Sequence, residues 1–239
     1  NFKDLIYFSY PELFCITQNE TSTGVAIDPE DIYNLKKHFP ESLIAVDIVT
    51  SAPYVNIDYN KIDCAFFSVQ KGFGLPAGLG VLMVNFKCIE KAIYLKSKNI
   101  SIGSYHNFLS LYENAVKYQT TETPNVLGIY LLGKVCEDMI KRGIENIRKE
   151  TEEKSKLLYD FFDGHGSLKL FVKDPSDRSQ TIINIETGKK QAEIKKKLSD
   201  NGIIVGSGYG NMKETQIRIA NFPMHKIEDV RKIIRVLSH

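Results

Sequence analysis

The sequence predicts an α/β fold: a mostly parallel sheet in a large domain, followed by a small α+β domain. Two observations carry this. Between residues 12 and 84, short runs that are apolar on both sides alternate with helical patterns, as in a sheet covered by helices on both faces. After Phe86 the texture changes, and the last third mixes short strands and helices around one long amphipathic helix. We place the division between 1–143, the large domain, and 144–239, a linking helix with the small C-terminal domain.

Glu12–Thr17 (ELFCIT) is the first strand-length run, followed by the polar cluster Gln18–Gly24. Asp28-Pro29 then opens a helix, with Asp28 as cap and Pro29 at the first helical position. Ile32, Leu35 and Phe39 form its buried stripe, and Pro40 stops it. Leu43–Val49 (LIAVDIV) is a second buried strand, interrupted by Asp47. Cys64–Val69 is a third and Leu79–Val84 a fourth. Helices follow at 86–97 and about 107–118, and Thr123-Pro124 starts a long one ending near Gly143. An amphipathic helix spans 144–162. Beyond it come strands at 168–172 and 180–185, a helix at 190–200, strands at 203–205 and 215–221, and a helix at 226–237.

Composition removes several classes of function. The chain has 239 residues, 43% of them hydrophobic, and a net charge of +2 without a basic tail or stripe. Nucleic acid and anionic membrane are therefore not expected partners. No apolar run is long enough for a membrane span. Cys15, Cys64, Cys88 and Cys136 lie far apart in apolar stretches with no metal-ligand spacing. They read as buried, reduced thiols of a cytoplasmic protein, with no metal site.

The segment SVQKGFGLPAGLG (68–80) places Lys71 ahead of four glycines. A dinucleotide loop needs a helix after the glycines, whereas Pro76 and the run Leu79–Val84 lead into a strand. A Walker loop needs its lysine after the glycines, followed by Ser or Thr. Both nucleotide readings fail. Lys71 is then either a lysine on an exposed hairpin or an amine nucleophile. The second follows because ligands sit at strand ends in such sheets and desolvation lowers an amine pKa. Asp47 is costly to bury without a partner; it is a strand-end cap, an ion-pair member or a ligand group. Opposite charges closing two successive buried strands suit a ligand with an aldehyde for the lysine and a basic ring nitrogen for the aspartate. Pyridoxal phosphate fits that description.

The strings QNETSTGV (18–25), VDIVTS (46–51) and FFSVQKGFGLPAGLGV (67–81), with TETPN and a late IRI, stand in an ordered set. That set resembles the class V aminotransferases of PLP fold type I, and within them the phosphoserine aminotransferase-like proteins. The resemblance covers most of the chain. It implies that Lys71 forms the imine with the cofactor and shuttles the proton at the substrate α-carbon, while Asp47 keeps the pyridine nitrogen protonated. It assigns Val49 to a ring face, Thr21 to the phenolic oxygen, and Gln70 and Ser68 to the phosphate. Val49 reads equally as a core valine, and Thr21 as a turn residue. Thr123 is assigned to the phosphate of a neighbouring subunit, which implies a homodimer with shared active sites; capping the helix at Pro124 is compatible with that. Arg218, in the apolar strand TQIRIANF, is assigned to the α-carboxylate of an amino acid. Its structural alternative is an ion pair with Glu214 or Asp229. His106 is left outside the site.

Two departures shape the expectation. Where phosphoserine aminotransferases carry a His-Arg pair ahead of the late arginine, this sequence has Asn211 and Met212, with Lys213 the nearby cation. Phosphoserine, serine and alanine therefore all stay open as donors to a 2-oxo acid. The family also has a longer stretch before NETS, so the sequence is expected to be a fragment that binds cofactor poorly alone. A lyase or desulfurase of the same fold is the alternative chemistry, with Cys136 the candidate sulfur acceptor. A non-catalytic descendant is the other alternative, though a scaffold needs none of Lys71, Asp47 and Arg218.

Overall fold

A computed structural model describes residues 10–238. In chain order its first half contains β1 (Leu13–Thr17), the two-stranded ribbon β2 (Asn19–Glu20) and β3 (Val25–Ala26), and α1 (Pro29–His38). Then follow β4 (Leu43–Asp47), β5 (Cys64–Ser68), β6 (Gly80–Val84), α2 (Phe86–Ser97) and α3 (Phe108–Ala115). The main sheet runs β1-β4-β5-β6. Its first three strands are parallel, and β6 returns antiparallel along β5. Asp28 caps α1 as expected, its carboxylate accepting from the Glu30 N–H at 2.9 Å.

Strand alternation decides which face is filled. Phe14, Ile16, Ile44, Val46, Ala65, Phe67 and Met83 share one face and pack with Ile32, Leu35 and Phe39. The opposite face does not match the expectation of cover on both sides. There α2 and α3 stand over only part of the sheet, and Leu13, Phe66, Leu82 and Val84 remain exposed. A groove of about 730 Å³ opens between β6 and α3, lined by Leu82, Val84, Phe86, Leu111 and Tyr112. The same geometry corrects the cysteines. Cys64 and Cys88 are buried, but Cys15 is exposed on the open face and Cys136 is half-buried.

Asp63 ties these layers together from the start of β5. Its carboxylate accepts from Lys36 of α1 at 2.7 Å, from the Ile44 N–H at 2.8 Å and from Asn85 at 2.8 Å. One buried charge thus joins a helix, two strands and the turn into α2.

The second half comprises α4 (Val126–Arg142), α5 (Ile144–Asp163), β7 (Lys169–Leu170), β8 (Ile182–Glu186) and α6 (Gln191–Asp200). It closes with β9 (Gly206–Ser207), β10 (Gln216–Ala220) and α7 (Ile227–Leu237). An antiparallel sheet in the order β7-β8-β10-β9 carries a core of Phe162, Ile183, Ile185, Leu198, Ile217 and Ile219, against which α7 lays Val230, Ile233 and Leu237. Two expectations shift. The strand expected at 203–205 lies at Gly206–Ser207, because its pairing puts Ser207 opposite Ile217 and Gly206 opposite Arg218. The helix expected from Thr123-Pro124 starts at Val126, and Asn125 is its cap, accepting from the Gly128 N–H at 2.9 Å. Thr123 caps nothing.

Burial acts to raise the Asp63 pKa, but Lys36, Asn85 and the Ile44 N–H together hold it below the ordinary aspartate value of 3.8. A depressed folded pKa contributes stability that is complete above the ordinary value and lost as pH falls through the folded one. Acid unfolding followed by circular dichroism should therefore be shallower below pH 3.8 in Asp63→Asn than in the unmutated protein.

Candidate active site

Three parallel strands end side by side, and each passes into a loop bearing polar groups. Thr17 pairs with Asp47 and Asp47 with Phe66 in the sheet register. Beyond these ends the Gln18 N–H donates to the Asp47 carbonyl, and the Ile48 N–H to that of Phe66, each at 3.0 Å. The Asp47 carboxylate takes the Val49 N–H on Oδ1 at 2.8 Å, which fixes its direction. Its Oδ2 has no hydrogen-bond partner among the described residues. Three residues on, buried Thr50 shares a hydrogen bond of 2.5 Å with the Thr21 hydroxyl. The ribbon β2–β3 and the end of β4 are thereby joined.

Lys71 follows β5 in a tight turn, with the Gly74 N–H donating to its carbonyl at 3.0 Å. Gly72 explains why a glycine follows this lysine. A Cβ there would lie 1.9 Å from the Ala52 carbonyl oxygen and 2.7 Å from Pro53 Cδ. Only a residue without a side chain lets this turn press against the loop after Asp47. Lys71 is half-buried. Desolvation lowers its pKa, aided by the Arg218 charge and opposed by Tyr209 and Asp47. A larger fraction of free amine at neutral pH results, as a nucleophile requires.

The antiparallel sheet supplies the other wall. Asn184 of β8, opposite Arg218 in register, donates to the Ser22 carbonyl at 2.5 Å. Asn19 donates to Thr181 at 2.7 Å, and the Ser179 N–H to the Gly24 carbonyl at 2.9 Å. These bonds hold the β2–β3 ribbon against the sheet bearing Arg218. The Arg218 Nε donates to the Ser207 carbonyl at 2.6 Å, and its guanidinium lies 4.1 Å from the centre of the Tyr209 ring. Its terminal nitrogens have no hydrogen-bond partner among the described residues. The ion pair with Glu214 or Asp229 is not formed; Asp229 instead accepts from the Lys226 N–H at 2.8 Å.

Lys71 thus lies in the field of both Asp47 and Arg218, although 147 residues separate it from Arg218 (218 − 71). Thr21 joins them through Thr50, and Val49 is half-buried beside Asp47. Ser68 closes β5 opposite Gly80, and Gln70 is exposed in the turn. Thr123 lies elsewhere, exposed on the groove between β6 and α3. His106 pairs with Glu122 at 2.8 Å, outside the cluster.

The Aminotransferase class-V family model matches residues 2–236. The chain belongs to that family. Among curated relatives, the phosphoserine aminotransferase of Rhodococcus opacus (strain B4) is 28% identical over 223 residues, 92% of this chain and 59% of the relative. The crystal structure of a phosphoserine aminotransferase from Cytophaga hutchinsonii superposes with a TM-score of 0.91 at 47% identity, covering 95% of this chain and 63% of that one. An alanine–glyoxylate aminotransferase from Nostoc sp. shares the fold, with a TM-score of 0.86 at 21% identity, covering 99% of this chain and 63% of that one. This class V chain therefore spans about three fifths of the length of the relatives it matches.

Sequence alone singles out neither Thr50 nor Tyr209, and of Gly72 it says only that the chain turns tightly after Lys71. The run VDIVTS contains Thr50, but nothing in it says that the hydroxyl faces Thr21. The GYG at 208–210 was the one local signal for Tyr209. Gly72→Ala should cost about 1–3 kcal/mol through overpacking against Ala52. A lowered melting temperature checks the cost. A shift of the Lys71 titration toward the ordinary lysine value should accompany it, because the turn is pushed outward.

Proposed function

We propose that this chain carries the lysine, aspartate and arginine of a pyridoxal-phosphate-dependent aminotransferase, moving an amino group between an amino acid and a 2-oxo acid. One observation carries the reading: a half-buried amine of lowered pKa and an oriented carboxylate stand at the ends of parallel strands, and the amine lies in the field of a guanidinium on β10 whose terminal nitrogens have no partner among the described residues. That donor set suits the cofactor. Lys71 offers an amine to an aldehyde, Asp47 an acceptor to a protonated ring nitrogen, and Thr21 a hydroxyl to the phenolic oxygen. A phosphoserine aminotransferase from Trichomonas vaginalis that shares this fold, at 17% identity and a TM-score of 0.77, is bound to PLP.

When bound, the cofactor supplies an electron sink for the substrate α-carbon. Lys71 would hold it through its amine, and the same amine would move the proton at the substrate α-carbon. Asp47 would accept a hydrogen bond from the protonated ring nitrogen on its carboxylate. Arg218 takes the substrate α-carboxylate on its terminal nitrogens, which turns the α-carbon toward Lys71. Ser68 and Gln70 serve the phosphate, Val49 a ring face, and Thr123 the phosphate of a neighbouring subunit in a homodimer. A cytoplasmic location belongs to the same proposal. Phosphoserine heads the panel of amino donors because relatives named for it match along most of this chain. Serine and alanine follow, since Asn211 and Met212 offer its phosphate no cation.

The desulfurase alternative is weakened at Cys136. Its thiol lies within α4, where burial raises the pKa and suppresses the thiolate that accepts sulfur.

Borohydride reduction of the protein saturated with pyridoxal phosphate should leave a stable adduct, which peptide mass mapping locates on Lys71. Lys71→Ala should remove the adduct and lower amino transfer by about 10²–10⁴-fold or more. An unmodified Lys71 peptide in cofactor-saturated protein overturns the reading.

A further inference from the structure

Arg218 is confined from several sides, and the chemistry proposed above does not use all of them. Its Nε–H is engaged by the Ser207 carbonyl at 2.6 Å. Gly206 passes so close that a Cβ there would lie 3.1 Å from Nη2. The Tyr209 ring covers the guanidinium at 4.1 Å. The ring is itself set by a closed turn: the Gly208 N–H donates to the Gln216 carbonyl at 2.9 Å, and the Met212 N–H to that of Tyr209 at 2.9 Å. A Cβ on Gly208 would fall 2.2 Å from the Met212 carbonyl oxygen, so the turn admits only glycine before the tyrosine. Tyr209 is 49% exposed, so core burial does not account for its position.

We propose that Tyr209 is a positioning residue of this site: its ring clamps the Arg218 guanidinium in the plane from which the two terminal nitrogens receive a substrate carboxylate beside Lys71. The inference rests on the carboxylate-binding reading of Arg218. An arginine tethered only at Nε swings about its side-chain torsions, and a carboxylate must then arrest it on binding. A stacked ring arrests it beforehand, and its negative face leaves the positive charge undiminished at the guanidinium edge.

The test is calorimetric titration of cofactor-loaded protein with pyruvate, a single-carboxylate 2-oxo acid, with steady-state kinetics alongside. Tyr209→Leu should weaken pyruvate binding about 5–30-fold, the range of a partly desolvated cation–π contact. Tyr209→Phe, which keeps the ring, should stay within about twofold of the unmutated protein. KM for the amino donor should rise with the pyruvate dissociation constant while kcat changes by less than about twofold, because the clamp acts on binding. In an Arg218→Ala background, Tyr209→Leu should have no further effect. Tyr209→Gln, also without a ring, replaces Tyr209→Leu if the latter melts early. Unaltered pyruvate binding in the ringless variants overturns the clamp, and so does a Tyr209→Phe that fails with them. Loss of pyruvate affinity in Arg218→Ala alone then leaves the reading of Arg218 standing. Unmutated protein that ignores pyruvate, or an Arg218→Ala that binds it normally, defeats the reading of Arg218 and the clamp together.

Discussion

The attachment of the β2–β3 ribbon to the antiparallel sheet β7-β8-β10-β9 is the constraint on which the site depends. Asn184 reaches the Ser22 carbonyl, Asn19 reaches Thr181, and the Ser179 N–H reaches the Gly24 carbonyl. Asn19 and Asn184 are both buried, so these bonds form where water does not compete for them. Break them and Thr21 loses its fixed relation to Arg218. Within the second half itself, Asn221 ties α5 to the sheet by donating to the Thr151 and Gln180 carbonyls, each at 2.8 Å. Buried Lys154 donates to the carbonyls of Phe222 and His225. Across the two halves, the Asn184–Ser22, Asn19–Thr181 and Ser179–Gly24 bonds register the ribbon against the sheet.

Within that frame two glycines act in opposite senses. Gly72 lets a turn approach another backbone, so Lys71 sits against the loop following Asp47. Gly208 closes the turn that aims Tyr209 at Arg218. A methyl group at either place meets a carbonyl oxygen well inside van der Waals distance. Neither glycine touches a ligand in the proposed chemistry; Gly72 sets the position of Lys71, and Gly208 that of the ring lying over Arg218.

The sheet tells a different story on its two faces. Under α1 the alternation of β1, β4 and β5 buries a continuous apolar layer, whereas the other face leaves Leu13, Cys15 and Leu82 exposed. Two-sided apolar strands correctly announced a parallel sheet. They could not say which part of the chain, if any, covers the second face, because hydrophobicity is a property of a strand and cover is a property of its neighbours. Cys15 was misjudged for the same reason.

Local chemistry made much of the molecule legible. Asp28-Pro29 marked a helix start, the runs around Ile44, Ala65 and Ile217 marked buried strands, and the ordered strings around Asp47 and Lys71 marked a family. Each of these signals lies within a few residues, where capping, alternation and turn chemistry act. Register and long-range approach required the fold. Asn125 rather than Thr123 caps α4 because its side chain reaches Gly128, and β9 lies where β10 offers it a ladder. The sequence by itself determined which groups could react: an amine, a carboxylate and a guanidinium on strands and their ends. Only the tertiary structure decided that Lys71 shares its field with Arg218 and Tyr209, because a packed seam of hydrogen bonds, and no local propensity, brings residues so distant in sequence together.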